Sequence, residues 1–158
     1  MNYKILFLFL AFFFLQCRSQ KISDVNFKYG KLFYQDSTIV ESYLYDSVTG
    51  LYEYNKKNSG LGEDENVAAT IKLTEKELND IYSLYVSLKP RYLTECIFID
   101  NKLFYKSYVT FNSDKNKLSS KCNIGKYEEY DKLKIKILKL ITSSHAYKTT
   151  FYWEFIQK

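Results

Sequence analysis

The chain has 158 residues, 46% of them hydrophobic and 26% charged, with a formal net charge of +5. It is too apolar for a disordered polymer, and its length argues for one domain. Five glycines and one proline exclude a collagen-like or linker-dominated chain and most glycine-dependent chemistry. The 12 Phe, 16 Tyr and one Trp make 18% of the chain aromatic. Its basic residues are nearly all lysine, with Arg18 and Arg91 the exceptions, and Asn and Ile are plentiful. A genome of low GC content produces the same skew, so the aromatic count carries no functional claim by itself.

Met1 to Lys4 carries one positive charge, and Ile5 to Leu15 is an uninterrupted apolar run followed by polar Gln16-Cys17-Arg18-Ser19-Gln20. Eleven helical residues rise about 16 Å, half of the roughly 30 Å hydrocarbon core of a bilayer. A short charged start, a compact apolar stretch and a polar sequel read as a signal peptide over residues 1–16. Of the 29 rings, Tyr3 and five phenylalanines fall in this stretch, so the remaining aromatic content is chiefly tyrosine.

Phe14-Leu15-Gln16-Cys17 resembles the lipobox of bacterial lipoproteins, in which the cysteine is lipidated and becomes the new N-terminus. Phe14 and Gln16 stand where that family usually has Leu and a small residue. The resemblance implies a triacylated Cys17, a lasting membrane anchor, and residues 17–26 as a lipidated start and short polar tether. Arg18 occupies the position at which that family's inner-membrane retention signal has Asp, which implies the outer membrane of a Gram-negative envelope. Ordinary cleavage after Ser19, within Cys17-Arg18-Ser19, is the rival reading.

With Cys17 assigned to the anchor, Cys96 and Cys122 remain, and in an oxidising envelope they form a candidate disulfide. Their spacing excludes a CxxC redox motif. Together with the one histidine, His145, they lack the paired spacing of a zinc site. Two unrelated buried thiols are the alternative.

Residues 27–158 read as a single domain. Phe27 to Tyr34 has strand character, with Gly30 inside it. Thr38 to Tyr45 and Leu51 to Tyr54 flank Asp46-Ser47-Val48-Thr49-Gly50 as a hairpin, with Tyr43 and Tyr45 set to pair across it with Tyr52 and Tyr54. Asn55 to Asn66 reads as a long loop. Its acidic Glu63-Asp64-Glu65 lacks the ligand spacing of a calcium loop. Val67 to Leu73 alternates as a half-buried strand. Thr74-Glu75-Lys76-Glu77 is a capping box, with Leu73 and Leu78 spaced as a hydrophobic staple. Leu78, Ile81, Tyr82, Tyr85 and Leu88 form one helical stripe that Pro90 ends.

Tyr92 to Ile99 and Leu103 to Phe111 read as strands around an Asp100-Asn101-Lys102 turn, with a further strand over Leu118 to Cys122. Within Tyr127 to Ser143 a strand-like alternation competes with a helical face of Tyr130, Leu133, Ile137, Leu140 and Ile141. Length and the leading Glu128-Glu129 favour the helix, with Lys132, Lys136 and Lys139 on a solvated side. Thr149 to Ile156 is aromatic and β-branched, the composition of a closing strand. The expected fold is therefore α+β, a mostly antiparallel sheet of about six to eight strands with two amphipathic helices on one face.

No catalytic, metal or cofactor motif is present. Glu41, Glu53, Glu95 and Glu154 lie on expected strands, where two could meet for acid and base work, and His145 follows Ser143 and Ser144 without forming a triad by adjacency. Nucleic acid is a poor partner, since export separates the chain from it and loss of Lys4 takes one charge from the +5. The reading is a lipid-anchored envelope module that presents tyrosine-bearing surfaces to an envelope protein or glycan. A periplasmic hydrolase using carboxylates or His145 is the alternative.

Overall fold

The computed structural model describes residues 25–58, 62–113, 122 and 128–152. They form an α+β domain. Six strands, β1 (Phe27–Gln35), β2 (Thr38–Asp46), β3 (Leu51–Lys56), β4 (Glu65–Thr70), β5 (Thr94–Ile99) and β6 (Lys102–Phe111), make one antiparallel sheet in the order β4-β3-β2-β1-β6-β5. Helices α1 (Glu75–Leu88), α2 (Glu128–Ser143) and α3 (His145–Thr150) complete the described elements.

Tight turns set the strand register. Asp36 and Ser37, and likewise Asp100 and Asn101, take positive φ, the geometry whose twist matches two-residue hairpins. Between β2 and β3 the Asp46 carboxylate accepts from the Val48 amide at 2.8 Å, and Gly50 at φ 72° donates to the Asp46 carbonyl at 2.8 Å. The expected cross-strand pairs follow: Tyr43 opposes Tyr54 and Tyr45 opposes Tyr52.

β4 and β5 are the two edges of the sheet, and α1 is the connection between them. Fourteen helical residues span about 21 Å, close to the roughly 24 Å of five inter-strand spacings. The helix is thus as long as the sheet is wide. The Thr74 hydroxyl accepts from the Glu77 amide while the Glu77 carboxylate accepts from the Thr74 amide at 2.8 Å, closing the capping box. Lys89 ends the helix in a left-handed conformation just before Pro90. Leu78 and Ile81 are buried, and Tyr82 and Tyr85 pack on Phe111 with ring centroids 5.6 and 4.4 Å away.

α2 settles the helix-or-strand conflict in favour of the helix. Tyr130, Leu133, Ile137 and Ile141 are buried together, and each of the three aliphatic side chains contributes about 1.5–3 kcal/mol on leaving water. The sheet face beneath α1 and α2 carries Phe27, Tyr29, Tyr45, Tyr52, Tyr54, Val109 and Phe111, all in the core.

Two expectations need correction. The closing strand does not begin at Thr149: Thr149 and Thr150 belong to α3, capped by the Ser144 hydroxyl, which accepts from the Tyr147 amide at 3.1 Å. Tyr147 and Phe151, one helical turn apart, stack at 4.9 Å, and Tyr52 meets both at 5.3 Å. Helical spacing lets both rings cover the same tyrosine, and that packing outweighs local β propensity. Residues 153–156 of that expected strand lie outside the described residues, as does the strand expected over Leu118 to Lys121. Among the described residues the two long helices, α1 and α2, stand as expected, with the short α3 in addition. The long loop is also shorter than expected, because β3 runs to Lys56 and β4 begins at Glu65, extending the β3–β4 ladder to the pair Lys56 and Glu65.

Candidate functional site: a groove on the open face of the sheet

The sheet has two chemically different faces. On the helix side, Ser107 is wholly buried, and its hydroxyl lies 2.7 Å from that of Tyr130. The hydroxyls of Tyr29 and Tyr105 approach the same serine. Burial pushes Tyr29 and Tyr130 far above the ordinary tyrosine range, so their hydroxyls stay protonated. At the margin of this cluster the Lys134 ammonium donates to Glu95 at 2.7 Å and pairs with Asp131 at 2.9 Å. Burial lowers its proton affinity, yet the two carboxylates more than offset this and hold Lys134 above its ordinary value. Ser107 is sealed from solvent and Lys134 is kept charged, so neither is poised as nucleophile or base. The cluster is a polar tie between sheet and α2.

The opposite face carries two adjacent rows of cross-strand neighbours. One runs Tyr108, Gly30, Leu44, Glu53, Ala68, and the next runs Thr110, Lys28, Asp46, Leu51, Thr70. Gly30 is the one position in the first row without a side chain, and the Tyr108 ring occupies the space above it. A Cβ built on Gly30 would stand 2.3 Å from Tyr108 Cε1 and 2.6 Å from its hydroxyl oxygen. An aromatic laid over a strand glycine is a recognised way to close such a gap.

Beside that ring lies an open groove of roughly 350 Å³, lined chiefly by Lys28, Leu44, Asp46, Leu51, Glu53 and Tyr108. This volume falls near the lower end of small-molecule sites, about 300–1,000 Å³. Lys28 pairs with Asp46 at 3.0 Å. Partial burial raises the Asp46 carboxyl, but hydrogen bonds from Lys28 and the Val48 amide outweigh it and hold the group below the usual carboxylate range. Asp46 is therefore a fixed anion. Glu53 has no ion-pair partner among the described residues. Half-burial, with Tyr34 nearby, pushes the Tyr108 hydroxyl up, so it remains a donor.

Compared with models of known protein families, with curated proteins and with solved structures, the chain matches none.

The sequence-identified residues fall in separate places. Cys17, the signal segment and the tether up to Asp24 lie outside the described residues, as does Glu154. Cys96 and Cys122 stand at disulfide distance, with sulfurs 2.12 Å and Cα atoms 5.5 Å apart. Of the carboxylates, Glu41 accepts from the Tyr43 hydroxyl at 2.6 Å, Glu95 holds Lys134, and Glu53 lines the groove. His145 is exposed at the start of α3 and does not line the groove. In the acidic loop, Asp64 accepts from the Asn58 amide at 3.0 Å. Among the described residues no group of three His, Cys, Asp or Glu is placed to hold a metal.

Lys28, Asp46 and Tyr108 escaped the sequence reading. The available signal was Gly30: a glycine inside an alternating strand marks a close approach by a neighbour.

Proposed function

We propose that the protein is a small exported, lipid-anchored binding module of the bacterial cell envelope. The observation that carries this reading is the apolar run Ile5 to Leu15 ending two residues before Cys17, ahead of a domain with its own buried core. Binding is supported by the groove, which joins aromatic and aliphatic surface to fixed polar groups. It is further supported by the far end of the sheet, where Ile39, Phe98, Ile99 and Phe104 are exposed beside the two tight turns, an apolar surface suited to a protein partner. The Lys102 ammonium joins those turns by donating to Asp36 at 2.9 Å.

The anchor is tested by Cys17→Ser. Labelling with a fatty-acid analogue should disappear and the protein should leave the membrane fraction, whereas unchanged labelling refutes the anchor. Co-purification from intact envelopes with a tagged chain then identifies the protein partner.

A second reading, a periplasmic hydrolase, draws on Asp46 and Glu53, diagonal neighbours on one face. It requires Glu53 to serve as the acid, because Asp46 is committed to Lys28. Turnover of a glycoside substrate that is lost in Glu53→Gln is the result that would favour it.

A further inference from the structure

We propose that the open-face groove is a binding site for a neutral saccharide, one or two sugar rings held against Tyr108, Leu44 and Leu51. The inference rests on the reading of the protein as a binding module and supplies its ligand class. A pyranose ring has an apolar face of C–H groups and a rim of hydroxyls that both donate and accept. The groove offers the matching pair of surfaces. Tyr108, Leu44 and Leu51 are its apolar wall and floor, and Lys28, Asp46 and Glu53 are placed among them at single-residue spacing by the two rows of the sheet.

The main competitor is a lysine-bearing or arginine-bearing peptide, which the tetralysine titration below distinguishes. The Asp46 charge is already met by Lys28 at 3.0 Å, and the Lys28 ammonium would repel an incoming cation. Glu53 is left to receive ligand donors, and a sugar's hydroxyls, which both donate and accept, can meet it and Lys28 together. The groove is also open and of about 350 Å³, enough for a ring laid on its face but not for an extended helix or strand.

Gly30 has a definite part in this site. Any side chain there would displace the Tyr108 ring, since even a Cβ would lie 2.3 Å from Cε1. The position of the Tyr108 ring, over which the Lys106 ammonium lies 5.7 Å from the centroid, therefore depends on a glycine that does not itself need to touch the ligand.

The test uses the full mature chain in detergent, titrated calorimetrically with the neutral tetrasaccharides of glucose and of N-acetylglucosamine, and separately with tetralysine. At least one tetrasaccharide should bind saturably, Tyr108→Ala should weaken it tenfold or more, and Glu53→Gln should weaken it about threefold. Val86→Ala, an exposed change on α1 outside the groove, should leave it unaltered. Because Tyr108→Ala removes the cover from Gly30, Tyr108→Phe serves as the fold-preserving variant and should retain most of the affinity. Absence of saturable saccharide binding overturns the proposal, as does binding indifferent to Tyr108→Ala and Glu53→Gln, or tighter binding of tetralysine. None of these outcomes alters the fatty-acid labelling of Cys17, so the saccharide site and the anchored-module reading stand or fall separately.

Discussion

Ser107 has no access to water, yet the hydroxyls of Tyr29, Tyr105 and Tyr130 all converge on it. Replacing it by alanine removes one small group and takes the hydrogen-bond partner from the buried Tyr130 hydroxyl. An unsatisfied buried polar group costs about 1–3 kcal/mol, so Ser107→Ala should lower stability by about 2 kcal/mol in urea denaturation. Tyr130→Phe removes the stranded group. In the double variant the total loss should fall short of the sum of the two single losses, the signature of directly coupled residues. Additive losses would show that the 2.7 Å contact contributes nothing. The same residues set the alkaline limit. Burial raises Tyr29 and Tyr130, and pushes Tyr45 up to about 12, and the carboxylates raise Lys134 against the opposing effect of burial. A group whose folded pKa lies above its unfolded value stabilises fully below the unfolded value and loses that contribution as pH rises through the folded one. The unfolded tyrosine and lysine values are about 10 and 10.4. Stability should therefore hold to about pH 10 and fall steadily above it, with Tyr45 losing its contribution between about 10 and 12. Chemical denaturation repeated across that range tests the sign, and a stability that rises with pH above 10 would contradict it.

At the scale of elements, α1 was the most legible part of the chain because local chemistry specifies it twice. The capping box and the apolar stripe agree, and both are realised. Thr74→Ala removes the acceptor for the Glu77 amide and should cost about 1 kcal/mol, within the 0.5–2 kcal/mol seen for cap losses, read as a shift in urea midpoint with unchanged slope. α3 was illegible for the opposite reason. Its residues favour a strand locally, and the contacts that make it a helix come from Tyr52, some hundred positions earlier in the chain. Lys134 was hidden similarly: on a lysine-rich helix it reads as one more solvated charge, and its distinction comes from Glu95 on β5. The strand tyrosines were half legible. Their cross-strand pairing followed from alternation, whereas their direction did not, because alternation separates two faces without naming the buried one. Tyr29, Tyr45, Tyr52 and Tyr54 turned inward, leaving Tyr108 as the groove's aromatic surface.

At the scale of the whole molecule, a proposed anchor and a cysteine pair at disulfide distance act at different points of the chain. The chain enters the domain at Asn26, whose carbonyl accepts from the Asn112 amide at 2.9 Å and whose side chain accepts from the Ser47 hydroxyl at 3.3 Å. The groove rows begin only two residues later, at Lys28, so the anchor proposed at Cys17 would hold the groove within about 35 Å of a bilayer through a ten-residue tether. The second constraint joins Cys96 on β5 to Cys122, across a sequence separation of 26. Closing a loop of that length removes denatured-state entropy worth about 3–4 kcal/mol, a large share of the 5–15 kcal/mol typical of a domain. Cys96 is buried, so Cys96→Ser also places a hydroxyl among its core neighbours, whereas exposed Cys122 can be changed with little packing loss. Cys122→Ser should accordingly lose about 3 kcal/mol and Cys96→Ser somewhat more, while reduction of the unaltered chain should match Cys122→Ser. Thiol titration of purified mature protein should find no free Cys96 or Cys122 thiol before reductant and both afterwards. Two free thiols beforehand, or a Cys122→Ser variant as stable as the parent, would remove the cross-link from the account of how this domain stays folded.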